Sequence, residues 1–332
     1  MPRNIVDLFR RRGTHDIIRV GSNPNAVAIT PDGTRAYVTN GGSETVSVID
    51  ITTNRVTDTV RVGRLPSGVA IAPDSARAYV THGTGSVSVI DTATNTVTDT
   101  IELDVDPGAV AIAPDGTRVY ITNPWSNTLT VLDTTTNAVT DTIDVDVDDL
   151  PNGVAIATDG SRAYITHLAG DSVSVLDTAT NAVTTTIDVG DHPSKVSITP
   201  DGTHAYITHL AGDSVSVLDT TTNTVTTTID VGDITGGVAI TPDGNRALVA
   251  NPSNNTVWVI DTSTNTVTDT VPIGHWKWRF SRPAQSTTAV AITPDGTHAY
   301  VAQSRGKWVS VITINPARSS LDGSFDPLAS PS

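Results

Sequence analysis

Residues 26–40 read A-V-A-I-T-P-D-G-T-R-A-Y-V-T-N. A short run, Ala26 to Thr30, meets Pro31-Asp32-Gly33 and resumes as Arg35 to Thr39. Proline presets φ, aspartate bonds the backbone two residues on, and glycine accepts positive φ, so the three specify a tight reversal between two strands. Further on, Thr45 to Ile49 forms a third run, Asp50-Ile51-Thr52-Thr53-Asn54 a second turn, and Val56 to Val62 a fourth run. These four are strands A, B, C and D of one unit.

The unit is copied. Its A–B turn recurs with the aspartate at Asp32, Asp74, Asp115, Asp159, Asp201, Asp243 and Asp295, at spacings of 41 to 44 residues that stretch to 52 before the last copy. Strand B ends in Tyr37-Val38-Thr39-Asn40, Tyr79-Val80-Thr81-His82, Tyr120-Ile121-Thr122-Asn123, Tyr164-Ile165-Thr166-His167 and Tyr206-Ile207-Thr208-His209, then drifts to Leu248-Val249-Ala250-Asn251 and Tyr300-Val301-Ala302-Gln303. Four strands in about 42 residues is the mark of propeller blades, whereas solenoid repeats carry fewer strands per turn.

The ends agree. The seventh unit has A, B and C but no D, and Thr313 stands where every other unit has the aspartate that opens the C–D turn. Before the first unit, Asp16-Ile17-Ile18-Arg19-Val20-Gly21 matches strand D sequences such as Asp269-Thr270-Val271-Pro272-Ile273-Gly274. The reading is an all-β, seven-bladed β-propeller of four-stranded antiparallel blades. Residues 16–21 complete blade seven and close the ring, which removes exposed sheet ends. Residues 1–15 read as a basic N-terminal extension, 16–314 as a single propeller domain and 315–332 as a flexible tail rich in Ser and Pro.

The tetrad together with Pro-Asp-Gly resembles the YVTN β-propeller repeat family, known from microbial surface-layer-like proteins and from related periplasmic and cytosolic propellers. The resemblance spans roughly residues 16–314. It implies the fold and says little about activity, because propellers host binding proteins, lyases and hydrolases alike. No catalytic motif of virginiamycin-lyase-like or lactonase-like propellers is matched position by position, and Glu44 and Glu102 are the only glutamates.

Composition narrows the partners. A formal net charge of -15 opposes binding to polyanions, so nucleic acid is not an expected partner. The run Arg10-Arg11-Arg12 reads as a solvated tail. With no cysteine, disulfides, thiolate metal sites and cysteine nucleophiles are excluded. The start lacks the apolar core of a signal peptide, and no apolar run reaches the roughly 18 residues of a membrane span. A soluble, cytoplasmic monomer with no membrane partner is the expectation.

In an up-and-down blade the D–A and B–C loops share one face. The opposite face repeats Pro-Asp-Gly and Asp-Thr-x-Thr-Asn almost unchanged and reads as structural. Variation gathers on the D–A and B–C face, where loops on a rigid scaffold carry function. Strand B ends there in Asn40, His82, Asn123, His167, His209, Asn251 or Gln303. His82, His167 and His209 are therefore candidates for the rim of a funnel and weak candidates for a divalent metal, imidazole being a ligand for Zn, Cu, Ni or Fe. No cofactor is otherwise predicted. Residues 163–191 and 205–233 differ only at Ala179/Thr221 and Ala182/Thr224, so His167 and His209 are one inheritance copied twice.

Departures from the repeat carry more. Strand A opens with Ala or Gly in six units, Ala26, Gly68, Ala109, Gly153, Gly237 and Ala289, but with Lys195 in the fifth. A small residue there lets blades converge near the axis; a lysine puts a cation beside the channel. Trp258 and Trp308 break the small-polar pattern of strand C and read as fillers of the wedge around blades six, seven and one. Trp125 lies in a B–C loop and reads as a binding surface. The loop into blade seven is ten residues longer than its counterparts and carries His275, Trp276, Lys277, Trp278, Arg279, Phe280 and Arg282, while the loops into blades three to six carry Asp104, Asp106, Asp148, Asp149, Asp191 and Asp233.

Two function classes stay open at this stage, and catalysis is undecided. The first is a small-molecule site, with chemistry of the lyase, hydrolase or cyclase type, at the funnel under an aromatic and cationic lid, 275–282. His192, His209 and Lys195 are its acid, base or anion-stabilising candidates. The second is a non-catalytic scaffold whose aromatic loop docks another protein.

Overall fold

The computed structural model describes residues 16–145, 149–273 and 287–314. Seven four-stranded sheets follow one another, each ordered A-B-C-D with every pairing antiparallel. Blade one is Pro24–Ile29, Arg35–Asn40, Thr45–Asp50 and Arg55–Arg61. Blade seven has Thr287–Ile292, His298–Gln303 and Trp308–Thr313, and its fourth strand is Asp16–Arg19, paired with Ile17 opposite Ser310 and Ile18 opposite Val309. The strand expected from residues 16–21 thus closes the ring, four residues long.

Strands B and C are buried on both faces because each blade is packed between two neighbours. Alternate residues of Arg35–Asn40 point opposite ways. Ala36 and Val38 join Ile18, Tyr300, Val309 and Val311 toward blade seven. Tyr37, with Val46 and Val48, meets Ala78, Val80 and Ile90 of blade two. Fully burying such a side chain contributes about 1.5–3 kcal/mol relative to leaving it exposed. The core is therefore seven inter-blade seams arranged around the axis.

Polar links stitch the same seams on the uniform face. Tyr37 Oη donates to Asn95 Oδ1 of blade two at 2.8 Å, and Tyr206 Oη to Asn265 Oδ1 of blade six at 2.7 Å. These asparagines end the C–D turns in the left-handed region, Asn95 at φ 53 and Asn265 at φ 52. Asparagine tolerates that conformation and supplies the acceptor for the preceding blade's tyrosine. The turn opens with an aspartate whose Oδ1 takes bonds from the backbone and hydroxyl two or three residues on, as Asp50 does from Thr53 N at 2.8 Å and Thr53 Oγ1 at 2.7 Å. The near-invariant C–D turn on this face is thereby accounted for by folding.

Candidate functional site: an axial cavity

Strand A is the innermost strand, and near its start the regular ladder breaks. In blade one Pro24 is opposite Asn40 and pairing resumes at Val27 opposite Val38. Between them Ala26 N donates to Thr39 Oγ1 at 3.0 Å, and that hydroxyl donates onward to Ser67 O of blade two at 3.0 Å. The same relay runs through Thr81, Thr122, Thr166 and Thr208. The third tetrad residue is therefore a hydroxyl bridge that fixes one blade's strand A against the next. Where the tetrad drifts to Ala250, Gly237 N donates directly to Thr288 O; where it drifts to Ala302, Thr288 Oγ1 donates to Asn25 O at 3.1 Å.

Held this way, the starts of the A strands enclose an axial cavity of about 850 Å³. Three stacked rings line it. The outermost is polar: Asn25, Ser67, Asn152, Ser194 and Thr288, with Gly108 and Gly236 completing it. The second is small, Ala or Gly in every blade except at Lys195. The third is valine in all seven blades, from Val27 to Val290. Among the described residues the valines are the last of strand A to line the cavity. Leu210, Ile234, Pro252, Ser253 and Arg305 add a rim from the D–A and B–C loops of blades five to seven.

The glycines of the second ring answer to crowding. A Cβ on Gly153 would lie 2.6 Å from Ser194 O, and one on Gly237 would lie 2.9 Å from Ala289 Cα. Lys195 sits between these two glycine positions, and its Nζ donates to Asn152 Oδ1 in blade four at 3.3 Å. Asn152 Nδ2 in turn lies 3.5 Å from Ser194 Oγ. Burial holds the lysine amine below its ordinary value. Among the described residues, Lys195 and Arg305 are the only charged groups that line the cavity, and no carboxylate does.

The structure separates the residues singled out by sequence. Lys195 is in the cavity wall. His82, His167 and His209 do not ring the mouth: they are buried in the seams, at 0, 0 and 1 % exposure. His82 Nε2 lies 2.8 Å from Ser88 Oγ, His167 Nε2 2.8 Å from Ser174 Oγ, and His209 Nε2 2.9 Å from Ser216 Oγ. His209 Nδ1 also donates to Asp191 O at 2.8 Å. Burial pushes His82 down to about 4 and lowers His209 as well. Asn40, Asn123 and Gln303 make the corresponding bonds to Ser47, Thr130 and Ser310. In six blades the residue closing strand B is thus the hydrogen-bond partner of the strand C hydroxyl, which is why imidazole and amide interchange there. Among the described residues no group of three His, Asp or Glu side chains is arranged to hold a metal ion.

His192 is exposed and does not line the cavity. It precedes Pro193 at φ 54, as Asn23, Leu65 and Leu150 precede their prolines at φ 51 to 53, and its amide donates to Asp171 Oδ1 at 2.8 Å. Trp125 is 79 % exposed on the loop face. Trp258 is a seam residue, but it packs with Tyr206, Val215 and Val217 between blades five and six, not in the wedge toward blades seven and one. Trp308 is half-buried opposite Arg19. Asp104, Asp106 and Asp191 are exposed, Asp149 and Asp233 half-buried, and none lines the cavity. The lid expected at 275–282, with His275, Trp276, Lys277, Trp278, Arg279, Phe280 and Arg282, lies outside the described residues, as does Asp148.

Sequence reasoning missed the polar ring and Arg305. Both had a trace: the residue before the small one of strand A is Asn, Ser, Thr or Gly throughout, and Ser304-Arg305-Gly306-Lys307 is a doubly cationic B–C loop in an acidic chain.

No family model matches the chain, and no curated protein matches it in sequence. Among solved structures the chain is similar to Kuenenia stuttgartiensis hydrazine synthase, with a TM-score of 0.79 and 22 % identity, covering 91 % of this chain and 98 % of that one. At that identity the likeness shows the fold alone, a seven-bladed β-propeller.

Proposed function

We propose that the axial cavity binds a small organic anion, with Lys195 in its wall and Arg305 at its rim. One observation carries this reading. In a chain of net charge -15, the cavity is lined by two cations and, among the described residues, by no carboxylate. Fixed donors on rigid strands and an apolar valine ring suit an anion, and a volume near 850 Å³ falls in the range of small-molecule sites. The hydroxyls and amides of the outer ring supply orientation. The repeats are read as a divergent form of the YVTN type, which leaves the ligand to be found by experiment. Chemistry of the lyase, hydrolase or cyclase type would be built on the same wall. That an enzyme, hydrazine synthase, shares the fold supports only the use of such a ring by enzymes.

The test is a thermal-shift screen of carboxylates and phosphate esters against the protein and against Lys195→Gly and Arg305→Ala. Lys195→Gly restores the residue of blade four, so the variant keeps the ring. At least one anion should raise Tm, and the rise should shrink in both variants. Equal shifts in all three proteins would remove the cavity from the account.

A second reading, a scaffold for another protein, has its own observation. Trp125 at 79 %, Leu65 at 54 %, Leu210 at 42 % and Ile234 at 39 % exposure all stand on the loop face. Anion binding that survives Trp125→Ala and Leu65→Ser unchanged keeps the two readings apart.

A further inference from the structure

Lys195 is the one amine lining the cavity among the described residues, and its surroundings let a fraction of it give up the charge that the anion site uses. No carboxylate of the lining gives the ammonium a counter-ion. The hydrogen bond it makes is to the amide oxygen of Asn152, 3.3 Å from Nζ. An amide oxygen accepts an N–H from a neutral amine as well as from an ammonium, more weakly but without requiring the charge, and in the neutral form the nitrogen lone pair stays free. In the adjoining blades the same ring position is Gly153 and Gly237, so no side chain of that ring crowds the lysine stem. The valine ring lies beneath. Such desolvation disfavours the ammonium, and it is how an amine is made nucleophilic at neutral pH.

Building on the reading of the cavity as an anion site, we propose that Lys195 forms an imine with the carbonyl of a small oxo acid, a ligand with a carboxylate and an aldehyde or ketone in one molecule. Arg305 and the polar ring take the carboxylate while the amine takes the carbonyl carbon. Nζ attacks that carbon, the C–N bond forms, and the π pair of the C=O bond moves to oxygen. The oxygen gains a proton as the nitrogen sheds one. The carbinolamine then loses its hydroxyl as water while the nitrogen lone pair closes the C=N bond and the remaining N–H proton is released. One amine and one carbonyl become one imine and one water, with no change of oxidation state and no further reactant. Hydrolysis runs the same steps backward.

The experiment uses the full chain, glyoxylate as the probe and cyanoborohydride to reduce the imine to a stable carboxymethyl amine, mapped by peptide mass spectrometry. The chain has only three lysines, Lys195, Lys277 and Lys307, so the sites separate cleanly. At pH 7 the label should enter Lys195 several-fold faster than exposed Lys307. Lys195→Gly should abolish that fast phase and leave the slow ones. Oxalate, similar in size and charge but a poor electrophile, serves as the binding control by thermal shift. If oxalate stabilises the protein and Lys195 is labelled no faster than Lys307, the imine is overturned and the anion site stands. If oxalate has no effect and labelling is unselective, both fall.

Discussion

Thr208 Oγ1 donates to the carbonyl oxygen of Gly236 in the next blade at 2.8 Å, while it accepts the amide hydrogen of Lys195 in its own blade at 3.2 Å. One hydroxyl thus sets the distance between two cavity-lining strands, and it does so at the backbone of the residue that carries the cation. The repeated tetrad, which looks like a signature of folding, is also what positions the rings of the site.

Removing one such hydroxyl should therefore be felt. In blade two, Thr81 Oγ1 accepts from Gly68 N at 2.9 Å and donates to Gly108 O at 2.7 Å. Thr81→Ala leaves a donor and an acceptor unpaired in a buried seam, a cost of about 1–3 kcal/mol. Urea unfolding would show a lower midpoint with an unchanged slope. Blades six and seven carry alanine at this position with compensating bonds from strand A, so a neutral result at Thr81 would mean that the other blades can relax in the same way.

Ring closure rests on four residues. Ile18 is 5 % exposed and packs with Val309, Val311 and Tyr300 of blade seven and with Ala36 and Val38 of blade one. Ile18→Ala should cost about 2–5 kcal/mol, as large-to-small changes in a core do. The loss should appear as a single lowered Tm, because opening one seam exposes two blades at once. A separate early transition with the main one unmoved would show instead that blade seven frays alone.

The fold was legible because repetition printed it seven times: Pro-Asp-Gly gives a reversal wherever it stands, and Thr313 in place of a turn aspartate marks the missing strand. Lys195 was legible for a related reason, as a departure from a position otherwise Ala or Gly. The histidines were misplaced because a residue at the end of a strand carries no local sign of whether it faces a loop or a seam. The sign lay in a partner several residues away. Six blades have Ser or Thr at the strand C position that receives the bond, as Ser88 does for His82 and Ser47 for Asn40. In blade six that position is Trp258, and Asn251 turns its Oδ1 to the amides of Ser253 and Asn254. Arg305 left only the trace of a doubly cationic loop, since nothing in a loop sequence shows that the loop curls toward the axis.

His82 sets one limb of the acid stability. Burial holds it at about 4, below its ordinary 6.5, and its Nδ1 has no hydrogen-bond partner, so protonation would bury a second donor without an acceptor. Because the folded value is the lower one, the unfolded chain binds the proton first. The contribution is whole above about 6.5 and fades as pH falls toward 4. His82→Asn copies blade one, where Asn40 Nδ2 reaches Ser47 Oγ at 3.0 Å. The variant should keep its Tm at pH 7.5 and lose less of it than the parent by pH 4.5. Parallel Tm curves for the two proteins across that interval would show that this imidazole does not titrate on unfolding.

A second limb lies lower and belongs to the turns. Asp50, Asp91, Asp133, Asp177, Asp219 and Asp261 are held below their ordinary value by hydrogen bonds from the hydroxyl and backbone of the following threonines or serine, Asp50 chiefly by the Thr53 hydroxyl and Asp91 by the Thr94 amide. In the A–B turns Asp32, Asp201 and Asp295 are lowered mainly by the hydroxyls of Thr30, Thr199 and Thr293. Each contributes stability that is present above its unfolded value of 3.8 and is lost as pH falls through its lower folded value. The urea midpoint should therefore be insensitive to these groups above about pH 5 and drop as pH falls below about 4, with net proton uptake on unfolding. Asp50→Asn should shallow the drop, since an amide oxygen still accepts from Thr53 but no longer titrates. The two limbs separate by pH: His82→Asn acts above 4 and Asp50→Asn below it, and an Asp50→Asn effect confined to the higher range would contradict the assignment of the acid limb to the turns.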